Sequence, residues 1–306
     1  MTPPGREIPI VQVDAFTTTP FAGNPAGVVL QAADLTDAQM QAIAREMNLS
    51  ETAFLLPASG AGADLRIRWF TPALEVELCG HATVATFHAA LEAGRLEPGR
   101  YRLECLSGIL PVRLDRDEAA RAVVSMGLPV PAVEPVTLAS CRVAEALRVE
   151  TDDFDRRFGL MRAGPWLLAP MASLQVLGAM APDFAALCAL GSETGMGNTI
   201  ALTTETVEAS SAVHLRMFAP GYGIDEDPVT GSAQGPVAAW LARFGLITAG
   251  KPGADGIARY VAEQGDAIGR AGRIRVEAGF ASGQLDSVTI SGRAVTVLRG
   301  TVILPA

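Results

Sequence analysis

Glu51 stands at the edge of the apolar run Ala53-Phe54-Leu55-Leu56, which reads as a β-strand. A carboxyl group in a dry cleft has its pKa raised toward neutrality, which suits it to take up and return a proton. The plainer alternative is an exposed loop glutamate. His81 belongs to Cys79-Gly80-His81-Ala82, where glycine and small residues open a helix. Asp227 precedes a second such opening, Gly231-Ser232-Ala233, and either caps that turn or bonds a substrate amine or hydroxyl. The two helix starts, around Gly80 and Ala82 and around Gly231 to Ala233, offer N–H groups and positive dipole ends. Such ends bind carboxylates or phosphates, and glycine lets a ligand approach the backbone. Cys79 becomes a candidate base if the helix end lowers its pKa. The matching residue of the second opening is Thr230, so the two-thiol arrangement that moves a proton across a stereocentre is missing. His88 reads as packing or surface, and His214 is given no role.

These residues sit in a sequence that repeats itself. Residues 66–94 and 214–245 match at Arg68 and Arg216, Phe70 and Phe218, and Pro72 and Pro220. After three extra residues in the second copy, Gly80-His81-Ala82 aligns with Gly231-Ser232-Ala233, and Gly94 with Gly245. Each copy reads as a strand, a proline-containing loop, and a helix that ends at glycine. An offset of half the chain means two related domains, not a solenoid. Ahead of the first copy, Thr36 and Gln39 form a capping box with Leu35 and Met40 as its staple. That helix ends near Asn48. A weaker helix at 182–190 precedes the second copy, leading to Asn198. The acidic group before the strand therefore occurs in one half only, which points to an asymmetric site in a symmetric shell between the domains. Further strands are expected at 8–15, 26–30, 101–106, 109–115, 121–126, 166–169, 273–278, 286–290 and 294–304. The expected domains are 1–127 and 128–295, joined by the proline-rich stretch 127–136, with the last strand, 296–306, a candidate to return to the first domain.

Composition narrows the function classes. With 24 Lys and Arg against 33 Asp and Glu among 306 residues, the chain is net acidic and has no basic cluster. That makes it a poor partner for nucleic acid or an anionic membrane. No stretch of about 18 apolar residues exists to span a membrane. The four cysteines form no CxxC pair, and scattered thiols fit a reducing, cytoplasmic compartment. Ligand spacing along the chain rules out a structural zinc site.

Several segments in chain order carry a family resemblance. They are Val13-Asp14-Ala15-Phe16 with Phe21-Ala22-Gly23-Asn24-Pro25-Ala26; Asn48-Leu49-Ser50-Glu51-Thr52-Ala53-Phe54; Cys79-Gly80-His81-Ala82-Thr83; Asp227-Pro228-Val229-Thr230-Gly231-Ser232-Ala233; and Glu263-Gln264-Gly265 with Gly269-Arg270. Together they resemble the phenazine-biosynthesis isomerase (PhzF-like) family, on the diaminopimelate epimerase fold. The resemblance implies an α+β fold of two pseudo-symmetric domains, each a curled mixed or antiparallel sheet around a central helix. It implies an isomerase without cofactor or metal, commonly a homodimer, acting on a small carboxylate-bearing metabolite. The catalytic glutamate of the family falls on Glu51, with His81 and Asp227 beside it. Asn24, Gly80, Ala82, Gly231, Ser232 and Ala233 fall at substrate-contacting positions. Two competitors remain: a proline-racemase or hydroxyproline-dehydratase type using Cys79, and a metabolite-binding protein without chemistry. Intact Glu51, His81 and Asp227 argue against the second.

Overall fold

The computed structural model describes residues 5–248 and 255–305. The chain divides into two compact units, one running to Gly127 and taking back the chain from Ser291, the other spanning Leu128–Ile290. In chain order the first unit holds β1 (Arg6–Ala15), β2 (Asn24–Val29), α1 (Asp37–Met47), β3 (Glu51–Leu56), β4 (Leu65–Phe70), β5 (Glu75–Val76), α2 (Gly80–Glu92), β6 (Gly99–Cys105), β7 (Gly108–Arg116) and β8 (Ala122–Leu128). The second holds β9 (Glu134–Pro135), α3 (Ser140–Leu147), β10 (Met161–Ala163), β11 (Trp166–Pro170), α4 (Leu174–Ala179), α5 (Phe184–Thr194), β12 (Asn198–Thr203), β13 (Val213–Ala219), β14 (Ile224–Asp227), α6 (Gln234–Arg243), β15 (Ile257–Gln264), β16 (Gly272–Ala281) and β17 (Gln284–Gly292). Finally β18 (Ala294–Leu304) lies antiparallel to β1 in the first unit. Among the described residues no helix is long and apolar enough to cross a membrane.

The repeat seen in sequence is a repeat of topology. In the first unit β1 is antiparallel to β2, β2 parallel to β3, β3 antiparallel to β4, β4 parallel to β6 and β6 antiparallel to β7. The second unit repeats the order and the sense through β10, β11, β12, β13, β15 and β16. Each parallel step needs a crossover. In the first unit α1 serves β2 to β3, and α2 serves β4 to β6. An ion pair is repeated as well. Arg68 grips Glu75 through two N–H groups at 2.7 and 2.6 Å, and Arg216 grips Glu226 at 2.8 and 2.7 Å. Each guanidinium also lies over the phenylalanine two residues on, at 5.0 Å from Phe70 and 5.2 Å from Phe218.

Local chemistry sets the element ends that matter for function. The Thr36 hydroxyl accepts from the Gln39 amide and the Gln39 side chain accepts from the Thr36 amide, so α1 opens with the capping box expected from its sequence. Asn48 closes it in the left-handed conformation at φ 50°, which asparagine tolerates. The chain then enters β3 at Glu51, which pairs with Ala26. The helix α2 packs on β1, β2, β3 and β18, and buries everything from His81 to Leu91. Such a helix must be narrow and internally satisfied. Four alanines keep it narrow, and the buried hydroxyls of Thr83 and Thr86 donate to carbonyls one turn back at 2.6 and 2.7 Å. In the second unit α3, α4 and α5 cover one apolar cluster built on Leu147, Leu177, Leu187 and Phe218. The helix at 182–190 runs instead from Phe184 to Thr194, because Asp183 caps it through the Ala186 amide.

His214, which the sequence left without a role, is buried against Glu263, its Nδ1 2.9 Å from the carboxylate. The same carboxylate accepts the amides of Val207 and Glu208, both at 2.8 Å. Burial pushes the Glu263 carboxyl up. The two amides, with His214 and Ser211, outweigh burial and hold it below the ordinary carboxylate range. Its contribution to stability is therefore present above the unfolded carboxyl pKa and lost as pH falls through the lower folded value. Glu263→Gln is expected to lower unfolding free energy by about 1–3 kcal/mol at neutral pH. Thermal melts across pH check this, because the gap between wild type and variant should close on acidification. A gap that stays constant from pH 7 to pH 3 would contradict it.

Candidate active site

The first unit brings three of the chemistry-bearing side chains together. Glu51 begins β3, and His81 is the second residue of α2. Glu51 Oε2 lies 3.2 Å from His81 Nε2. The other ring nitrogen, Nδ1, is 3.4 Å from Cys79 Sγ, and the Ser50 hydroxyl is 3.3 Å from Nε2. All three principal groups are buried, at 8% exposure for Glu51, 6% for Cys79 and 5% for His81. Glu51 is thus a buried carboxylate held in register by a histidine, not an exposed loop residue.

The helix α2 starts at Gly80, next to His81 in the chain. Thr83 makes the first helical bond of α2, donating to Cys79 O at 3.1 Å. The amides of Gly80, His81 and Ala82 therefore precede the helical ladder. Cys79 supplies no side-chain cap. Asn24 begins β2, the strand beside β3, and is fully buried. Its approach is set by a constrained loop. Phe16 and Phe21 both adopt positive φ, at 61° and 67°, and the Asp14 carboxylate accepts the Phe21 amide at 2.7 Å. Gly23 at φ 64° is irreplaceable there, because a Cβ would stand 2.2 Å from the Ala15 carbonyl oxygen. Asp14 and Phe16 carry family resemblance in the sequence, but nothing local signals that they are anchors.

The second unit presents a different set at equivalent places. Asp227 ends β14 and is 5% exposed. The Thr230 hydroxyl donates to its carboxylate at 2.5 Å, and Gln264 Nε2 donates both to that hydroxyl oxygen, at 3.0 Å, and to the Asp227 carbonyl, at 2.7 Å. Gln264 Oε1 accepts the Thr230 amide at 2.9 Å. Gln264 is a positioning residue that the sequence reading named without a role; its partners lie over 30 residues away. The following Gly265, at φ 88°, lets the chain turn where a Cβ would meet Arg270 O at 2.3 Å and Pro228 O at 2.7 Å.

The second helix opening differs from the first. The helix α6 begins at Gln234 with Ala233 as its N-cap, and Pro236 falls in its first turn, where a missing N–H costs little. Gly231 and Ser232 form the turn before it, their carbonyls accepting from Gln234 at 3.1 Å and Gly235 at 3.4 Å.

The first unit thus sets a buried glutamate beside a histidine, on an α+β fold in which one topology is repeated. Residues 13–300 match the family model described as phenazine biosynthesis-like protein, PhzC-PhzF. The chain belongs to that family and is an isomerase. It is 35% identical over 295 residues to the uncharacterized isomerase YfhB of Bacillus subtilis, covering 95% of this chain and 97% of that protein. It is 35% identical over 301 residues to the trans-2,3-dihydro-3-hydroxyanthranilate isomerase of Pseudomonas fluorescens, covering 96% and 99%. The crystal structure of a PhzF-family protein from Bacillus anthracis matches with a TM-score of 0.88 at 31% identity, covering 98% of this chain and all of that one.

Removing Gln264 tests its anchoring role. Gln264→Leu keeps the volume but strands the Thr230 amide, the Asp227 carbonyl and the Thr230 hydroxyl oxygen. A loss of at least about 1–3 kcal/mol in urea unfolding is expected, the penalty for one unsatisfied buried group. A variant within about 0.5 kcal/mol of wild type, the usual scatter of neutral substitutions, would remove Gln264 from the account.

Proposed function

We propose that this isomerase shifts a double bond in a small carboxylate-bearing metabolite, with Glu51 as the one proton carrier. The observation that carries the reading is the Glu51–His81 contact at 3.2 Å, buried and fixed by β3 and α2. Glu51 as carboxylate removes a proton from a carbon made acidic by a neighbouring double bond. The C–H electron pair forms a new C=C bond, and the old π pair becomes the nucleophilic carbon at the far end of the allylic system. That carbon takes the proton back from Glu51. Atoms and charge balance without an oxidant or a second base. One carboxyl serves both ends only if both carbons lie on the same face, so the shift is suprafacial. His81, with Nε2 3.2 Å from the carboxyl, holds Glu51 in place between the two transfers.

The N–H groups of Gly80, His81 and Ala82 suit them to hold the substrate carboxylate. Asn24 supplies an amide, and Asp227, Gly231, Ser232 and Ala233 are proposed as further substrate contacts. The relative named as trans-2,3-dihydro-3-hydroxyanthranilate isomerase makes that unsaturated carboxylate the first compound to try.

A second reading rests on Cys79, whose sulfur is 3.4 Å from His81 Nδ1 at a helix start. A thiol so placed is a plausible base. Its counterpart Thr230 spends its hydroxyl proton on Asp227, so two-thiol epimerisation is not available.

Substitution separates the two readings. Glu51→Gln is expected to cut turnover by at least about 10²-fold, the usual scale of general acid–base catalysis, with a much smaller change in substrate affinity. Cys79→Ala is expected to cost far less. Deuterium uptake from heavy water at the reacting carbon should fall in step with turnover. An active Glu51→Gln beside an inactive Cys79→Ala would transfer the role to the thiol.

A further inference from the structure

We propose that the first unit carries a second small-molecule site, a groove that takes an amphipathic carboxylate with an unbranched alkyl body. The groove is a cavity of about 520 Å³ where β2 and β3 end, walled by Leu30, Leu55, Leu56, Leu65 and Leu96. A smaller cavity of about 270 Å³ is walled by Ile10, Val11 and Val28. The two share Leu30, Gln31 and Arg95. Small-molecule sites run to about 300–1,000 Å³, with mostly apolar walls and a few fixed polar groups. The larger cavity has that size, and both have that lining.

Arg95 supplies the charge. The helix α2 ends in a Schellman turn, with Gly94 at φ 66°. The Gly94 amide donates to Leu91 O at 3.1 Å and the Arg95 amide to Ala90 O at 2.8 Å. The backbone of Arg95 is thereby fixed at the wall common to both cavities. Among the described residues its guanidinium has no carboxylate partner. The other two arginines of the lining are engaged, Arg6 with Asp34 at 3.5 Å and Arg299 with Glu92 at 2.7 Å. A guanidinium without an acid, beside an aliphatic wall, complements a carboxylate joined to an apolar body, and the Gln31 amide is a second donor. No aromatic side chain lines either cavity, so nothing there selects a flat ring by stacking. Leucine walls suit an alkyl chain.

The groove is remote from the proton-handling groups. Asn24 and Glu51 begin β2 and β3, whereas Leu30 follows the end of β2 and Leu56 ends β3. Five residue steps along β3 put Leu56 about 17 Å from Glu51. His81 and Arg95 likewise stand at opposite ends of α2. A ligand in the groove therefore does not touch Glu51, and the site is independent of the catalytic reading.

The test titrates the full chain with decanoate, below its micellar concentration, in a calorimeter. Saturable binding of one equivalent is expected. Arg95→Ala should weaken it at least about tenfold, the worth of one hydrogen bond to a charged group. Arg95→Glu should abolish it. Arg113→Ala, at an exposed arginine that lines neither cavity, should leave it unchanged. Decanol has the same chain without the charge and should bind at least about tenfold more weakly. Circular dichroism establishes that the variants are folded, and the decanol comparison uses the wild-type chain alone. Absence of saturable decanoate binding, binding that survives in folded Arg95→Glu, or equal binding of decanol would each overturn the site.

Discussion

The placement of Glu51 depends on one constraint, the parallel pairing of β3 with β2 beside a helix buried on the same strands. Parallel neighbours start at the same end of a sheet, so Asn24 and Glu51 both lie at strand beginnings, with Ala26 opposite Glu51. The helix α2 packs on β1, β2, β3 and β18, and its second residue, His81, reaches the Glu51 carboxylate. Moving β3 by one residue would turn Glu51 to the other face of the sheet and break this contact. The capping box at Thr36, the left-handed Asn48 and the close of α1 all serve that register.

Duplication explains the frame, and divergence within it explains the chemistry. Trp69 pairs with Val76, as Met217 pairs with Asp227, and Glu75 and Glu226 take the equivalent arginines, Arg68 and Arg216. The three extra residues of the second copy therefore fall between Pro220 and Glu226. From there the halves align without a gap, and four positions differ in kind. Glu51 stands where the second unit has Asn198, Cys79 where it has Thr230, and His81 where it has Ser232. In the other direction, Val76 stands where the second unit has Asp227. The first unit carries Glu51, Cys79 and His81, while the second holds a hydrogen-bonded acid at a different point of the same frame.

Much of this was legible in the sequence, for physical reasons that also mark where legibility stopped. The capping box at Thr36, the glycine endings and the strand alternation are local signals, and the corresponding elements are present. The family membership and the α+β fold follow from motifs spread along the chain. Elements without such signals escaped. The helix α3 has Ala139 at its N-cap and no side-chain cap, and α4 has only six residues. The strand β15 buries a glutamate and a glutamine at its end, which conceals its inward face from any hydrophobic pattern. Gln264 and the His214–Glu263 pair act over long sequence distances. The trio of Glu51, Cys79 and His81 is likewise a product of the fold.

The central claim is that a single carboxyl group moves the proton along one face. The most direct test is a single-turnover conversion, in ordinary water, of a substrate carrying deuterium at the carbon that loses its hydrogen. The account predicts that part of the deuterium reappears at the new C–H bond, on the same face of the product. Delivery of a solvent proton to the opposite face, with no deuterium retained, would require a second base and contradict the account.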